Sequence, residues 1–520
     1  MVNVLARIRH FAQTTPTKTA LVGRDAIGVI GNVDYCTLWR DIQTLSDTLK
    51  QWKTKRIALL AENGIAWAKV DLAALLAQVT VVPVPTFFSR EQVAHLVAKA
   101  DVDLLVGDWS TLAISPQGEL AGLPCYSRLA AHTLSSDTIA KITFTSGSTG
   151  SPKGVALSAE IIDAVTQSLV EAVSTQTVST QQISSTQQIS STQQSISPTR
   201  HLVALPLSTL LENITGIYVP LSLGVETVVL EGFEVGLRGS SGFSPDIFGA
   251  ALAQYQPESM VVTPMLLLAL TEIASVQPSI TQPLTFIAVG GAKVPASLHH
   301  KAQQLGLPVF EGYGLSECGS VVSLNTPFAH RQGSVGKPLS HCRVRIADDG
   351  EIVVQGAAMN GYIHEAIDCQ NDDIHTGDLG YLDEEGYLFV SGRKKNVLIT
   401  AFGRNVSPEW IEAEALAYPH LRQMVVLGDG CAVLSAVVAS HDHEQTLSQI
   451  AQLNRRLPDY AAIGHVIFTQ PFQHEDSLMT ANGRPRRDVF AQQFSCFIPN
   501  NQCVSVADFS VTSCSDISLT

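Results

Sequence analysis

The chain reads as an α/β protein with a large N-terminal domain of parallel-rich sheets, part of it a distorted β-barrel, and a small α+β C-terminal domain. Three observations predict this. Short apolar runs alternate with helical patterns over residues 34–110, the same alternation resumes over 201–289, and the texture changes to mixed α+β after residue 393. Strands separated by helices imply a parallel sheet. A chain of 520 residues is also too long for one ordinary core, so two or more domains are expected.

The elements follow in order. Residues 35–52 carry apolar positions at helical spacing, and 56–60 form a short apolar run of the buried-strand type. Residues 67–76 read as a helix, 79–84 as a strand, 91–100 as a helix and 102–106 as a strand. Further strands are expected at 201–205, 227–230, 259–262 and 285–289. Residues 333–390 are strand-rich with Gly turns, which is the barrel-like portion. The boundaries predicted are 1–392 for the large domain, 393–490 for the small one and 491–520 for a polar tail, expected to be loosely held. Residues 174–199 break the pattern. Thr180, Thr186 and Thr192 each begin a Thr-Gln-Gln unit, and Ser, Thr, Gln and Ile dominate. Such a composition cannot build a core, so the segment is read as an insertion between a helix and a strand.

Composition narrows the function classes. Hydrophobic residues at 45% and charged residues at 15% fit a packed globular protein. The net charge of −14 argues against nucleic acid as a partner. The cysteines are scattered, with no Cys-x-x-Cys pair, so reduced thiols are expected rather than a metal or redox site. The N-terminus lacks a signal-type apolar core. The most apolar stretches are interrupted by Gln78, Pro83, Pro264 and Glu272. No transmembrane segment is expected, and a cytoplasmic location follows as the default.

The most informative stretch is Thr145 to Gly154, TSGSTGSPKG, which follows the strand-like Ile142 to Phe144. Glycine lets the backbone approach a ligand closely, and exposed N–H groups, hydroxyls and an ammonium suit a polyphosphate. Thr145, Ser146, Gly147, Ser148, Thr149, Gly150 and Lys153 are therefore candidates for phosphate contact. The pattern is not the Walker motif, and alone it equally suits a flexible Ser/Gly loop. Four later segments bear on it: GGAKVP from Gly290, EGYGLSECG from Glu311, HTGDLGYLDEEG from His375, and GRKKNVLITAFGRNVSPEWIE from Gly392. Together and in this order the five motifs resemble the adenylate-forming superfamily of acyl-CoA synthetases, peptide-synthetase adenylation domains and luciferases, over about residues 10–490. LPLSTLLEN from Leu205 and TANGRPRR from Thr480 look most like its long-chain fatty acyl-CoA synthetase branch.

Chemistry and resemblance together suggest roles. Tyr313 offers an aromatic face for adenine, and Glu317 a hard oxygen for Mg²⁺. The resemblance places Mg²⁺ at Glu317, a hydroxyl at Ser316, and Gly291, Ala292, Glu311 and Gly312 beside the nucleotide. It implies that Asp378 and Arg393 contact the ribose, that Lys395 is the hinge of a mobile small domain, and that Gly403 approaches the thiol acceptor after rotation. Two positions depart from the family pattern. Arg484 stands where Lys is usual, and its planar fork is not equivalent to a compact ammonium. Thr209 stands where many relatives carry His, at the border of the acyl pocket.

The implied reaction has two halves. A carboxylate, expected to be a medium- or long-chain fatty acid, attacks the α-phosphate of ATP and releases pyrophosphate. A thiol, expected to be that of CoA, then takes the acyl group. Lys153 and Arg484 with Mg²⁺ neutralise the meeting anions, with Ser316 and Glu317 beside them. A separate acyl carrier protein as acceptor, or a catalytically weak nucleotide- or acyl-binding protein, are the alternatives the sequence leaves open.

Overall fold

The computed structural model of the protein describes residues 3–110, 115–128, 139–145, 153–174, 198–238, 242–356, 359–363, 373–401, 403–431, 433–472, 478–480, 484–498 and 510–513. The Thr-Gln-Gln insertion lies outside the described residues except at its flanks, and so do tail residues 499–509 and 514–520.

The alternating pattern resolves into two separate sheets. In a seven-stranded sheet, Leu104–Gly107, Arg56–Leu60, Thr80–Pro83 and Ile139–Thr145 run parallel. Lys153–Ser158 closes one edge and Leu123–Ser127 with Gly118–Leu120 the other, all antiparallel. The helices Tyr35–Gln51, Ile65–Ala77 and Arg90–Lys99 alternate with these strands. Ile57, Ala58 and Leu59 are wholly buried, as expected of a parallel strand covered on both faces. Ile65–Ala77 is apolar almost all round and correspondingly buried. Asp34 caps the first of these helices by accepting the Thr37 N–H.

The second sheet has nine strands. Its parallel run is Val309–Tyr313, Phe286–Val289, Ser259–Val262, Arg200–Val203, Glu226–Val229 and Thr19–Arg24. The N-terminal strand Thr19–Arg24 thus pairs on one side with a segment some 200 residues away in sequence and on the other, antiparallel, with its chain neighbour Ile30–Asp34. One core takes side chains from both sheets, among them Leu59, Val81 and Leu157 from the first and Leu21, Val203 and Val229 from the second. The helix Ala159–Val173 and the segment Asn213–Tyr218, a π-helical turn, pack into it. The stretch read as a distorted barrel contains a four-stranded antiparallel sheet of Arg343–Ile346, Glu351–Gln355, Asp373–Leu382 and Leu388–Arg393.

Beyond residue 393, Met424–Leu427, Leu434–Ala439 and Ile463–Thr469 form a further sheet. Pro408–Ala415 and His443–Asn454 contribute to its core through Ile411, Ile450 and Leu453. Phe494 is buried beside Phe490, and Ser510–Ser513 pairs parallel to Ile463–Thr469. Among the described residues no helix is long and apolar enough to cross a membrane.

Candidate active site

Thr145 ends one strand and Lys153 begins the next, and the antiparallel register sets the two opposite each other. The chain therefore leaves and re-enters the sheet at one point. Ser146, Gly147, Ser148, Thr149 and Gly150, predicted to touch phosphate, lie outside the described residues. The Lys153 ammonium sits 4.7 Å over the ring of Tyr362. The Tyr362 hydroxyl donates to Glu317 Oε1 at 2.9 Å. Residues 359–363 also tie backbone to backbone, Ile363 N–H to the Gly154 carbonyl and Met359 N–H to that of Glu317, each at 2.9 Å. Tyr362 thus couples the lysine to the glutamate. It belongs to none of the five motifs, and only the fold reveals it.

The parallel strands Phe286–Val289 and Val309–Tyr313 end side by side, with Val289 opposite Glu311. The C-terminal edge of a parallel sheet is where ligands of α/β proteins bind. Gly291 follows at φ 81°, and a Cβ there would meet nothing within 4 Å, so its backbone faces open space. Gly314 is required sterically: a Cβ would stand 1.7 Å from the Ser320 carbonyl oxygen. That close approach shapes the turn carrying Ser316 and Glu317, which lie in the short helix Ser316–Cys318.

Asp378 and Arg393 face each other across antiparallel strands. Asp378 Oδ1 takes the Arg393 Nε at 2.9 Å, and Oδ2 accepts the Tyr313 hydroxyl at 2.6 Å. Arg393 Nη1 donates in turn to the Thr376 carbonyl at 2.9 Å. Burial pushes the Asp378 carboxyl up, and Arg393 and Tyr313 pull it back. The Tyr313 phenol is pushed well up by burial beside this carboxylate, so it remains a donor. Tyr313 therefore has an edge-on polar role in addition to the aromatic face expected of it. Glu311 is also buried and raised to about 7 by that burial, against the opposing Val294 N–H and Lys293 ammonium.

Arg484 arrives from the far end of the chain and donates from Nη2 to the Gly291 carbonyl at 2.6 Å. Thr145, Lys153, Thr209, Gly291, Ala292, Glu311, Gly312, Tyr313, Ser316, Glu317, Asp378, Arg393, Lys395 and Arg484 all line one continuous cleft. Gly403, by contrast, is in an exposed turn at φ 70° and does not line it. Lys395 is lowered by burial and then by the Arg393 cation.

The donor set suits a nucleotide polyphosphate with a divalent cation. Lys153, Arg393 and Arg484 are among the cationic side chains that line the cleft. Among the described residues no group of three or more His, Cys, Asp or Glu could cage a metal. Glu317 is a hard oxygen donor of the kind that holds Mg²⁺ together with phosphate oxygens.

A stretch of 154 residues is 40% identical to a long-chain-fatty-acid–CoA ligase of Mycobacterium bovis, covering 29% of this chain and 26% of that protein. The 2-succinylbenzoate–CoA ligase of Bacillus velezensis is 31% identical over 361 residues, 66% of this chain and 63% of the relative. The chain thus matches between a quarter and two thirds of the length of these relatives. The fold is that of o-succinylbenzoate CoA synthetase from Bacillus subtilis bound to the acyl-adenylate OSB-AMP, at 22% identity, TM-score 0.71, 94% of this chain and 98% of the other. It is equally that of the anthranilate CoA ligase AuaEII with anthranoyl-AMP, at 17% identity, TM-score 0.73, 94% of this chain and 96% of the other. The AMP-binding enzyme family itself matches residues 8–364, well over half the sequence, and the chain belongs to that family.

Proposed function

We propose that the protein is an AMP-forming acid–CoA ligase, acting on a medium- or long-chain fatty acid. The observation that carries this reading is the cleft that gathers the cationic Lys153, Arg393 and Arg484 together with the apolar Leu169, Val219, Leu223 and Phe286. The fatty-acid assignment draws support from the similarity to the Mycobacterium ligase and from those apolar walls.

In the first step a carboxylate oxygen bonds to the α-phosphorus of ATP and the bond to pyrophosphate breaks. Two anions must meet, so the site has to supply positive charge where it develops. Lys153 is proposed to meet the β- and γ-phosphates, and Arg484, which donates to the Gly291 carbonyl, the carboxylate and α-phosphate. Glu317 would hold Mg²⁺, which would supply charge neutralisation to the phosphates. Asp378, braced by Arg393 and Tyr313, offers acceptor oxygens to the ribose hydroxyls. In the second step the thiolate of CoA attacks the acyl carbon and AMP leaves. The part of the chain after residue 393, including Lys395 and Gly403, is proposed to move between the steps, which would remove Arg484 and bring Gly403 to the cleft.

The test is pyrophosphate release with Mg²⁺-ATP and a panel of straight-chain and aromatic acids, with and without CoA. Release that depends on a fatty acid and rises with CoA is expected. Release with an aromatic acid alone would replace the substrate class, and release indifferent to CoA would point to another thiol.

A further inference from the structure

Polar contacts join the part of the chain after residue 393 to the large domain. Arg484 donates to the Gly291 carbonyl at 2.6 Å. Arg422 Nη2 pairs at 2.7 Å with Glu272 Oε1, on the large-domain helix Pro264–Val276. Glu414 lies on the helix Pro408–Ala415. Its Oε1 accepts the Ala296 N–H at 3.1 Å, and its Oε2 lies 3.5 Å from Ser297 Oγ. Ala296 opens the large-domain helix Ala296–Gln304, whose N-cap is Pro295. Proline has no side-chain acceptor for the first amides, and the first turn of this helix holds no acidic residue. A carboxylate at a helix N-terminus satisfies an orphan N–H and meets the positive end of the dipole. That cap is supplied here from 118 residues further along the chain.

Arg484 and Glu414 thus grip the two ends of one short segment, Gly291 and Ala296. Between those ends Lys293 donates to the Val390 and Ser391 carbonyls at 3.4 and 3.5 Å. Burial pushes its ammonium down, and Glu311, Glu414 and Glu409 draw it back up, so a cation stands near the Glu414 carboxylate. A guanidinium carried on a second domain is only as well placed as that domain is docked. In the same pose Gly403 does not line the cleft, so bringing it there requires these contacts to break.

We propose that Glu414 and Arg422 are positioning residues, which hold Arg484 at Gly291 for the acid-activating step and let go before thiol transfer. This inference rests on the two-step reading of the cleft, and amide exchange separates the two. Hydrogen exchange over residues 296–299 of the full chain reads the docking directly. Glu414→Ala should speed it about tenfold, the worth of one capping contact, and Glu414→Gln, which keeps an acceptor oxygen, should retain part of the protection. Arg422→Glu should speed exchange at the same amides about threefold, as an exposed ion pair allows, although Arg422 contacts Glu272 on another helix. Adding Glu272→Arg should restore it; this swap keeps both charges and serves if a single variant fails to fold. The half-reactions give the second measurement. Pyrophosphate release with Mg²⁺-ATP and dodecanoate should slow by the same factors, while transfer from preformed dodecanoyl-adenylate to CoA does not slow. Exchange unchanged in both single variants would overturn the inference. So would equal slowing of both half-reactions, or a swap that restores neither exchange nor rate. Coupled exchange in a protein that releases no pyrophosphate with dodecanoate would uphold the docking contacts and refute the fatty-acid ligase reading alone.

Discussion

Lys141 is a charged residue in the middle of the strand that leads to Thr145, and it is 1% exposed. Its ammonium lies 2.7 Å from Asp71 Oδ1, 3.2 Å from the Tyr218 hydroxyl and against Asn213 Oδ1. Asp71 Oδ2 in turn accepts from Asn213 Nδ2 at 2.9 Å and from the Tyr218 hydroxyl at 2.7 Å. Burial pushes the Lys141 ammonium down and Asp71 holds it up. Lys141→Met would leave a carboxylate with zero exposure and no counter-charge. Losing one member of a buried pair costs about 3–5 kcal/mol. The lower end, about 3 kcal/mol, is expected here because two neutral donors still face Asp71. Replacing both charges, as Lys141→Met with Asp71→Leu, should recover most of the loss, since the desolvation of both ions disappears with them. Urea unfolding of the wild type, both single variants and the double variant measures the coupling. A loss below about 1 kcal/mol for Lys141→Met, or single losses that simply add in the double variant, would refute the claim that the two charges support each other.

Lys153→Ala should lower pyrophosphate release by roughly 10²–10³, the usual effect of removing one donor to developing charge. Its side chain is exposed, so near-UV circular dichroism should be unchanged. Arg484→Ala should slow acyl-adenylate formation by a similar factor, on the order of 10², yet spare thiol transfer from preformed acyl-adenylate; equal loss in both half-reactions, measured separately, would contradict its placement beside Gly291. Glu212 gives a pH signature. It is fully buried, Oε1 accepts the Ala204 N–H at 2.9 Å, and burial raises it to about 8. Its folded value lies above the unfolded value of about 4.3. Between the two the native state holds the extra proton, so stability falls as pH rises through that window. Glu212→Gln should therefore raise the unfolding free energy from urea titration near pH 8.5 by on the order of 2–4 kcal/mol, and leave it nearly unchanged near pH 5.

What could be read from the sequence was what is local. Apolar runs such as Arg56–Leu60 and Ser259–Val262 fall at the expected positions because a strand buried on both faces needs nothing but its own side chains to be recognised. The motif residues could be named because turns rich in Gly, Ser and Thr mark themselves. Their convergence, however, is a property of the sheet edge. Asp378 and Arg393 are brought together by strand register, and Arg484 by an approach to Gly291 from 193 residues away. No local pattern divides the strands between two sheets, or sends Thr19–Arg24 to the second of them.

The residues that escaped the sequence reading share one physical trait: each is polar, solitary in its segment, and meaningful only through a partner distant in the chain. Lys141 finds Asp71 across 70 residues and Tyr218 across 77. Tyr362 finds Glu317 across 45, and His201 finds Ser259 across 58. Read alone, each is a plausible surface side chain or an interruption in an apolar run. Once buried, each carries a desolvation cost that its partners must offset. Lys141 sits on the strand that delivers Thr145, and two of its partners, Asn213 and Tyr218, belong to the π-helical turn that follows Thr209. A π turn inserts a residue into a helix and is found mostly where a side chain must be re-aimed for function. The buried cluster thus ties the strand that ends at Thr145 to the π-helical turn Asn213–Tyr218. Loosening it by Lys141→Met should raise the KM for the acid and for ATP together, and a rise in only one of them would refute the coupling of the two elements.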